Sequence, residues 1–435
     1  MLIPAPALLI CFGLTLLLAV LASVLPALGL VWWVALGVLI LGAAIDAWQL
    51  WRRPGPSLTR QLPQALPLGV DREIGLRLEN DSAHLQDLSV YDHPPGSMAI
   101  HDLPQRVQLP PGEGVQLNYR VHPLVRGSFA FGQTELRLRS PWKLWDRRLR
   151  VGEMEAVRVY PNFAALTRFA LLATDHRLSQ IGVLKRRRRG QGMDFHQLRE
   201  YREGDIQRQI DWKATSRMGR LISREYQDER DQQIILLVDC GRRMQARDDA
   251  LSHMDHVLNA ALLLAYVALR QGDAVGLATF GGTSRFVAPR KSMATIHGLM
   301  GAAFDLQPTL HSPDYLMAAR DLIVRQRKRA LVVILSNLRD EDDDTLLPSL
   351  QLLQERHLVL LASLREGILG QSLRAPVRAL EDALTHAATA EYLERRRDNF
   401  RRLSGHGISS VDVEPAQLPL ALVNRYIDVK RAGRL

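Results

Sequence analysis

The stretch "QIILLVDC", Gln233 to Cys240, marks the point at which the sequence changes from one class of fold to another. From here on, short apolar runs such as "AVGLATF", "ALVVILS" and "LVLLAS" alternate with segments of helical periodicity. Strands that are apolar throughout are typical of a parallel sheet covered by helices on both faces. The sequence therefore predicts a doubly wound α/β domain over residues 232–435. The carboxyl ends of such strands hold ligands, which directs attention to Asp239 and to the segment from Ser336 to Asp340.

Upstream, residues 60–163 show a period of two instead. Ile74, Leu76 and Leu78 alternate with charged residues, and turn signals such as "HPPG" and "LPPGEG" separate the runs. This alternation is typical of half-buried antiparallel strands. It predicts a small antiparallel β-sandwich, and residues 164–231 are then a charged connector between the sandwich and the α/β domain.

The amino-terminal segment contains no charged side chain before residue 46. Ala7–Leu25 and Leu28–Ile45 each approach the roughly 20 apolar residues that a helix needs to cross a bilayer. The sequence predicts a hairpin of two transmembrane helices within residues 1–53. A cleaved signal peptide is the alternative, but such peptides begin with a basic segment and "MLIPAPALLI" has none.

Basic residues and cysteines predict where the soluble part resides. Arg52 and Arg53 follow the second apolar segment, whereas the turn at Pro26 has no basic neighbour. Because basic residues favour the cytoplasmic side, we expect everything after the hairpin to lie in the cytoplasm. The two cysteines, Cys11 and Cys240, offer no evident disulfide, which agrees with a reducing compartment.

The segment "GMDFHQLREYREGDIQRQIDWKATSR", Gly192 to Arg217, is dense in charge and has hardly any apolar run. Asp194 and Gln197 have the spacing of a helix capping box, and Asp205 and Asp211 stand where short helical turns can begin, with Gly204 as a turn residue between them. In the first interpretation Arg199, Arg208 and Arg217 bond the carboxylates and fix a loop-rich connector. Trp212 is then expected to be buried as its anchor.

In the second interpretation the same segment is a docking surface that includes Trp212, Lys213 and the basic run "KRRRR". Such a run binds nucleic acid, anionic lipid or an acidic protein, and the apolar hairpin in the same chain favours the last two. A solvated surface loop remains the alternative. The residues assigned to partner binding or to this structural motif are Arg186, Arg187, Arg188, Arg189, Asp194, Phe195, Arg199, Tyr201, Gly204, Asp205, Arg208, Asp211, Trp212, Lys213 and Arg217.

Two long motifs, "RRGQGMDFHQLREYREGDIQRQIDWKATSR" and "ISREYQDERDQQIILLVDCGRRM", resemble the bacterial family called domain of unknown function 58. The carboxyl-terminal part of that family is similar to von Willebrand factor type A domains. The resemblance implies a protein of the bacterial inner membrane that works with a MoxR-type AAA+ ATPase and with other membrane or envelope proteins. One departure is "SPWKLW", Ser140 to Trp145, where the family usually has an Asp-Pro-Phe-Gly-Leu type of turn.

The resemblance also locates a metal site. Type A domains bind magnesium through an Asp-x-Ser-x-Ser loop, a threonine and a second aspartate, because hard oxygen ligands suit this ion. Asp239 is present, but Gly241 and Arg243 replace the serines, Asn337 replaces the second acid, and Thr309 is a weak candidate for the threonine. We expect a degenerate site with no cofactor, in which a guanidinium at position 242 or 243 pairs with the remaining aspartate.

Two classes of function remain. The first is a non-enzymatic, membrane-anchored adaptor for the ATPase. The second is a membrane-associated, hydrolase-like enzyme that uses Asp194, Asp205 and Asp211 as acid and base groups. Adjacent arginines favour the first class, and the sequence contains neither a Gly-x-Ser-x-Gly elbow nor a phosphate-binding glycine loop. His253 and His256 have helical spacing but no visible third metal ligand.

Overall fold

The computed structural model describes residues 1–162, 194–202, 207, 210–227, 232–339 and 343–432. The chain divides into two compact units, Met1–Tyr160 and Pro161–Leu435. Each unit has its own β-sheets.

The first unit opens with strand β1 (Leu2–Pro4) and two apolar helices, α1 (Pro6–Val24) and α2 (Gly29–Arg52). Pro6 lies at the start of α1, where its fixed φ and missing N–H group are tolerated. A 3₁₀ turn, Pro26–Leu28, separates the helices. Both helices are long and apolar enough to cross a membrane, so the two predicted apolar helices are present.

The other strands of this unit form three sheets. The four-stranded sheet has the order β2-β4-β8-β6, the five-stranded sheet has the order β1-β11-β10-β5-β7, and the third is β3-β12-β9. The strands are β2 (Ser57–Gln61), β3 (Ala65–Pro67), β4 (Arg72–Glu79), β5 (Gln86–Tyr91), β6 (Met98–His101), β7 (Gln105–Leu109), β8 (Gly114–Pro123), β9 (Gly127–Phe131), β10 (Thr134–Arg139), β11 (Trp145–Val151) and β12 (Glu155–Tyr160).

The predicted alternation is clear on β4, where Ile74, Leu76 and Leu78 are fully buried and Arg77 and Glu79 are exposed. The pairings within the four- and five-stranded sheets are antiparallel, as expected. A parallel pair, β3 with β12, was not predicted. Because β1 pairs with β11 and β2 pairs with β4, both ends of the helical pair continue into sheets of the same unit.

A buried ion pair connects the four-stranded and five-stranded sheets. Arg60 on β2 donates to both carboxylate oxygens of Asp92, which follows β5, at 2.6 and 3.0 Å. Tyr119 on β8 and Thr134 on β10 also donate to Asp92, at 2.5 and 2.9 Å. Burial, together with the Asp92 carboxylate, raises the pKa of the Tyr119 hydroxyl. The charges are therefore fully hydrogen-bonded, as buried charges must be.

The second unit contains a two-stranded antiparallel sheet, β13 (Asp194–Glu200) with β14 (Ile222–Gln227). Helix α3 (Trp212–Met218) lies between these strands in the chain. The helix begins because the Asp211 carboxylate accepts hydrogen bonds from the N–H groups of Lys213 and Ala214, and it ends at Gly219, which has φ of 63°. Positive φ is a conformation that glycine adopts without steric cost.

The rest of the second unit is built around a six-stranded sheet in the order β19-β18-β15-β20-β21-β22. Its pairings are parallel except for β18 with β19. The strands are β15 (Gln233–Asp239), β18 (Ala274–Phe280), β19 (Phe286–Arg290), β20 (Leu331–Ser336), β21 (Leu358–Leu364) and β22 (Ser409–Val413), and a small pair, β16 (Arg247–Asp248) with β17 (Leu251–Ser252), precedes the first helix.

Helices cover both faces of this sheet, which explains why its strands are apolar throughout. Ile234, Leu236 and Val238 of β15 belong to one buried cluster, while Ile235 and Leu237 belong to another. The helices are α4 (His253–Arg270), α5 (Thr295–Ala303), α6 (Tyr315–Arg325), α7 (Asp343–Gln354), α8 (Gly367–Arg374), α9 (Leu380–Gly405) and α10 (Leu418–Arg431).

Candidate functional site

A row of polar side chains lines the carboxyl edge of the six-stranded sheet. Asp239 ends β15, and Ser336 ends the neighbouring β20. Ser336 pairs in register with Ser363, and Ser363 pairs with Asp412. The strand order reverses between β15 and β20, and ligands of open α/β sheets bind at such a switch point. This edge is therefore the first candidate site.

The Asp239 carboxylate is buried and enclosed by its neighbours. One oxygen accepts a hydrogen bond from the Gly241 N–H at 2.7 Å, and the other accepts one from the Ser336 hydroxyl at 2.6 Å. Ser336 also contacts the Tyr315 hydroxyl at 2.8 Å. A Cβ atom added to Gly241 or Gly281 would lie about 3 Å from the carboxylate oxygen, so the backbone approaches it closely. The sequence did not reveal the roles of Ser336 and Tyr315.

The other residues of the predicted metal site lie close to the same loop. Thr309 donates from its hydroxyl to the Gly281 carbonyl at 2.6 Å, and its N–H donates to the Cys240 carbonyl at 2.8 Å. Arg243 is buried in a 3₁₀ turn that follows Gly241. Thr309 and Arg243 thus lie near Asp239, but the threonine hydroxyl proton is directed at a backbone carbonyl.

Asn337 belongs to a separate hydrogen-bonded chain next to this loop. Its side-chain amide donates to Glu366 at 2.9 Å and lies 3.3 Å from the His253 Nδ1 atom, whose ring contacts Asp248 through Nε2 at 2.9 Å. Burial alone would raise the pKa of Glu366, but the Asn337 hydrogen bond, its own backbone and Arg339 outweigh burial and lower that pKa. Glu366 is therefore a carboxylate near neutral pH.

Arg396 of α9 ties together the ends of three strands. Its guanidinium bonds both oxygens of Asp412 on β22 at 2.8 to 3.2 Å, and it donates to Ser363 and to the Leu364 carbonyl on β21. It also donates to the carbonyl of Leu338, just after β20. The side chain is almost completely buried, so this part of the edge is held by one cation.

Neither histidine of the predicted pair is placed as a metal ligand. His253 is fully buried. The pKa of His256 is lowered, first by its own burial and then by the nearby His253 ring. Within the described ranges, no group of three or more His, Cys, Asp or Glu side chains is arranged to hold a metal ion. The carboxyl edge of the six-stranded sheet can therefore offer oriented, hydrogen-bonded polar groups to a ligand or partner.

The charged segment before the sheet differs from one expectation. Asp194 and Gln197 lie on strand β13, because this strand pairs with β14 from Asp194 to Glu200. The predicted capping box at these two residues is therefore wrong, and backbone pairing over a long sequence distance overrides the local signal. The predicted helix start at Asp211 is confirmed, since its side chain caps α3.

Two ion pairs in the described part of this region involve arginines that were not named from the sequence. Arg224 bonds the Asp211 carboxylate at 2.9 Å, and Arg220 bonds Glu200. Hydrogen bonds from the α3 backbone, first that of Ala214, and then Arg224 lower the pKa of Asp211. Arg199 donates to the Glu200 carbonyl at 2.9 Å, and Tyr201 donates its N–H to the Leu221 carbonyl.

Helix α3 presents an aromatic and cationic face to solvent. Trp212 is 68% exposed, so the prediction that it is a buried anchor is wrong. Helical spacing places Trp212, Lys213, Ser216 and Arg217 on one side, and all four are exposed. Ala214 and Thr215, which are half-buried, occupy the opposite side. We call these four exposed residues the α3 face.

Several residues named from the sequence lie outside the described part of the chain. They are Arg186, Arg187, Arg188, Arg189, Gly204, Asp205 and Arg208. The side chains of Asp194 and Phe195 are also outside it, although their backbone forms part of β13.

Comparisons with known proteins give one family and no named relative. The profile of the family described as "Protein of unknown function DUF58" matches residues 197–402. No curated protein matches the sequence. Escherichia coli alpha-2-macroglobulin is similar at 20% identity over 24% of this chain, with a TM-score of 0.20, and the match spans 7% of that protein. A FixG-related protein from Vibrio parahaemolyticus is similar at 16% identity over 24% of this chain and 94% of that one, with a TM-score of 0.18. Residues 197–402, which include α3, Asp239, Ser336, Ser363 and Arg396, therefore match the DUF58 family.

Proposed function

We propose that this chain is a membrane-anchored adaptor that works with a MoxR-type AAA+ ATPase in the assembly or maturation of a protein complex. The single observation that carries the proposal is the α3 face, which exposes a tryptophan within the segment that matches the family. Tryptophan and arginine are the residue types most enriched at interface hot spots. Trp212 is not buried by the fold and is therefore available to bind a partner.

Membrane anchoring is the first part of the proposal. It rests on α1 and α2, which are long and apolar enough to cross a bilayer. Since both ends of this pair continue into sheets of the first unit, an inserted hairpin leaves both ends on one side. Arg52 and Arg53 at the end of α2 favour the cytoplasmic side of the bacterial inner membrane.

A von Willebrand factor type A-like character of the carboxyl-terminal domain is the second part. The sheet order, with an aspartate at the end of the first strand, is compatible with such a domain. Gly241, Arg243 and Asn337 stand where the resemblance expects oxygen ligands. We propose that this edge recognises its partner without a bridging magnesium ion.

The α3 face is the third part, because its chemistry indicates how the ATPase is recognised. Lys213 and Arg217 flank the tryptophan, and neither pairs with an acid among the residues the structure describes. In contrast, Glu200 and Asp211 are each paired with an arginine. The α3 face is thus an apolar ring flanked by two available cations, which complements an acidic surface with an apolar groove.

Capture of the ATPase by the detergent-solubilised full chain tests this proposal. We expect Trp212→Ala to lower capture at least about tenfold, the range of a moderate hot spot. We expect Lys213→Glu combined with Arg217→Glu to abolish it, and raising the salt concentration to weaken capture by the unmodified protein. The matched controls are Met317→Ala, an apolar residue that is 61% exposed, and Arg395→Glu with Arg401→Glu, an equal change of charge on α9.

Two further comparisons separate the alternatives. Changing Arg186 to Arg189 to serine should weaken salt-sensitive capture, and a chelator should have no effect. Capture that fails altogether, or that needs magnesium and Asp239, would remove the mechanism. The alternative enzyme gains no support from Asp211, because a capped and arginine-paired carboxylate with a lowered pKa is a poor proton donor.

A further inference from the structure

Helix α2 carries a buried acid near its end, which is unusual for an apolar helix. The Asp46 carboxylate accepts hydrogen bonds from the Ser140 hydroxyl at 2.5 Å and from the N–H groups of Trp142 and Leu144 at 3.1 and 3.3 Å. All three donors belong to the turn Ser140–Trp145, which we call the clamp turn. The acid is fully satisfied and fully buried, so it fixes this turn to the helix.

One side of α2 is shaped to receive the clamp turn. Gly42, Ala43, Asp46 and Leu50 recur at helical spacing and form this side. The Trp145 indole N–H donates to the Ala43 carbonyl at 2.9 Å, and a Cβ atom on Gly42 would lie 3.8 Å from the Trp142 ring. The small residues therefore allow two indole rings to approach the helix.

The carboxyl end of α2 is capped by a side chain from the same region. Arg147 on β11 donates to the carbonyls of Leu50, Trp51 and Arg53 at 3.3, 3.2 and 2.8 Å. A guanidinium satisfies carbonyls that have no partner within the helix and matches the negative end of the helix dipole. The last turns of α2 and the clamp turn are thus one rigid body.

The remaining surface of this body combines exposed indole rings with cations. Trp48, Trp51 and Trp142 are 55%, 65% and 52% exposed. The Arg52 guanidinium lies 4.2 Å from the Trp48 ring, and Lys143 stands at the apex of the clamp turn with φ of 60°. Asp46 is buried, and Asp146, three residues after Lys143, is paired with Arg139 at 3.2 Å. Helical spacing puts Trp48 and Arg52 on the side of α2 away from the clamp turn, which carries Trp142 and Lys143. Trp48, Trp51, Arg52, Trp142 and Lys143 therefore surround the last turns of the helix, and we call them the indole–cation surface.

We propose that the indole–cation surface lies in the headgroup layer of the membrane and binds anionic phospholipid. Indole rings concentrate at membrane–water interfaces because they are apolar with one polar N–H group. Arginine and lysine side chains in the headgroup layer attract anionic lipid phosphate. The surface continues directly from the apolar part of α2, so the proposal rests on the membrane anchoring proposed above.

The position of Trp142 tests the depth of the surface. Full-length protein without its two natural cysteines receives a spin label at Trp142→Cys or, as a control, at Gln116→Cys, an exposed position on β8. In nanodiscs, the label at position 142 should collide more with lipid-dissolved oxygen than with a water-soluble nickel complex. The label at position 116 should show the reverse.

The preference of the protein for anionic lipid tests the role of the two cations, Arg52 and Lys143. In nanodiscs of phosphatidylcholine and phosphatidylglycerol, the lipid retained after gentle detergent extraction should be enriched in phosphatidylglycerol roughly thirtyfold, as two cations near an anionic surface imply. Arg52→Gln combined with Lys143→Gln should remove most of this enrichment. Arg72→Gln combined with Arg106→Gln, exposed on β4 and β7, should leave it unchanged.

The outcomes distinguish the two proposals. If alkaline carbonate releases the protein from membranes, the hairpin is not inserted and the proposed anchoring fails. If the protein stays in the membrane but the label at position 142 is as accessible to nickel as the label at position 116, only the indole–cation surface is refuted. Equal phosphatidylglycerol enrichment in the Arg52→Gln, Lys143→Gln variant would likewise refute it.

Discussion

Replacing Arg396 with methionine should strongly destabilise the carboxyl-terminal unit. The guanidinium is 4% exposed and bonds the Asp412 carboxylate, the Ser363 hydroxyl and two backbone carbonyls. Methionine fills much of the same volume but leaves the carboxylate and the carbonyls without this donor. Removing one partner of a buried ion pair costs about 3 to 5 kcal/mol, which is a factor of about 100 to 1,000 or more in the unfolding equilibrium.

Pulse proteolysis of the detergent-solubilised full chain across a urea series measures this change. The control is Arg395→Met on the same helix, where the side chain is 64% exposed and pairs with the equally exposed Glu391, and the expected loss is below about 1 kcal/mol. Arg396→Met combined with Asp412→Leu should recover part of the stability, because no buried charge remains, although the Leu338 and Leu364 carbonyls still lack this donor. A loss below about 1 kcal/mol in Arg396→Met alone, or no recovery in the double variant, would contradict the assigned role.

Three other predictions follow from features described above. A reporter that is active only outside the cytoplasm should stay inactive when it is fused to the carboxyl terminus, and strong activity would reverse the topology. Calorimetry with magnesium should show no saturable binding below about 1 mM, because hard ligands are missing; micromolar binding that Asp239→Ala abolishes would contradict this. Burial lowers the pKa of His256, so the folded state binds fewer protons than the unfolded state, and stability should be complete above the unfolded pKa of about 6.5 and fall at lower pH. The fall should be shallower in His256→Leu, and identical pH profiles would exclude His256 as a cause.

Features that depend on local periodicity could be predicted from the sequence. The run from Ile234 to Val238 forms β15 as expected, because alternate residues enter two different cores. The helical periodicity that follows the first apolar run belongs to α4, which begins at His253, where the Ser252 hydroxyl and the Asp255 carboxylate form a capping box. In such cases the signal lies within a few residues of the structure that it specifies.

Features that depend on distant pairing could not be predicted in the same way. Asp194 and Gln197 have the spacing of a capping box, but their backbone pairs with β14, about 30 residues later in the chain. The burial of Trp212 was judged from its size alone, and the fold leaves that side of α3 uncovered. Long-range contacts such as those of Asp46 with the clamp turn give no periodic signal.

In the candidate site, too, some residues could be predicted from the sequence and others could not. Asp239, Gly241 and Thr309 were located together through the family resemblance, and the structure places them around one loop. Ser336 and Tyr315, which complete the environment of Asp239, come from two other elements. A polar residue at the end of an apolar run, such as Ser336, was the only signal available for them.

The pairing of β1 with β11 has a consequence for the order in which the protein assembles. Met1 and Arg148, which are hydrogen-bonded to each other, are separated by 147 residues. At about 5 to 20 residues per second, β1 leaves the ribosome many seconds before its partner strand exists. During that interval the edge of β1 that later pairs with β11 has no partner strand. Any factor that occupies this edge during synthesis therefore acts before the sheet closes, and a delay in synthesis between β2 and β11 prolongs the exposure.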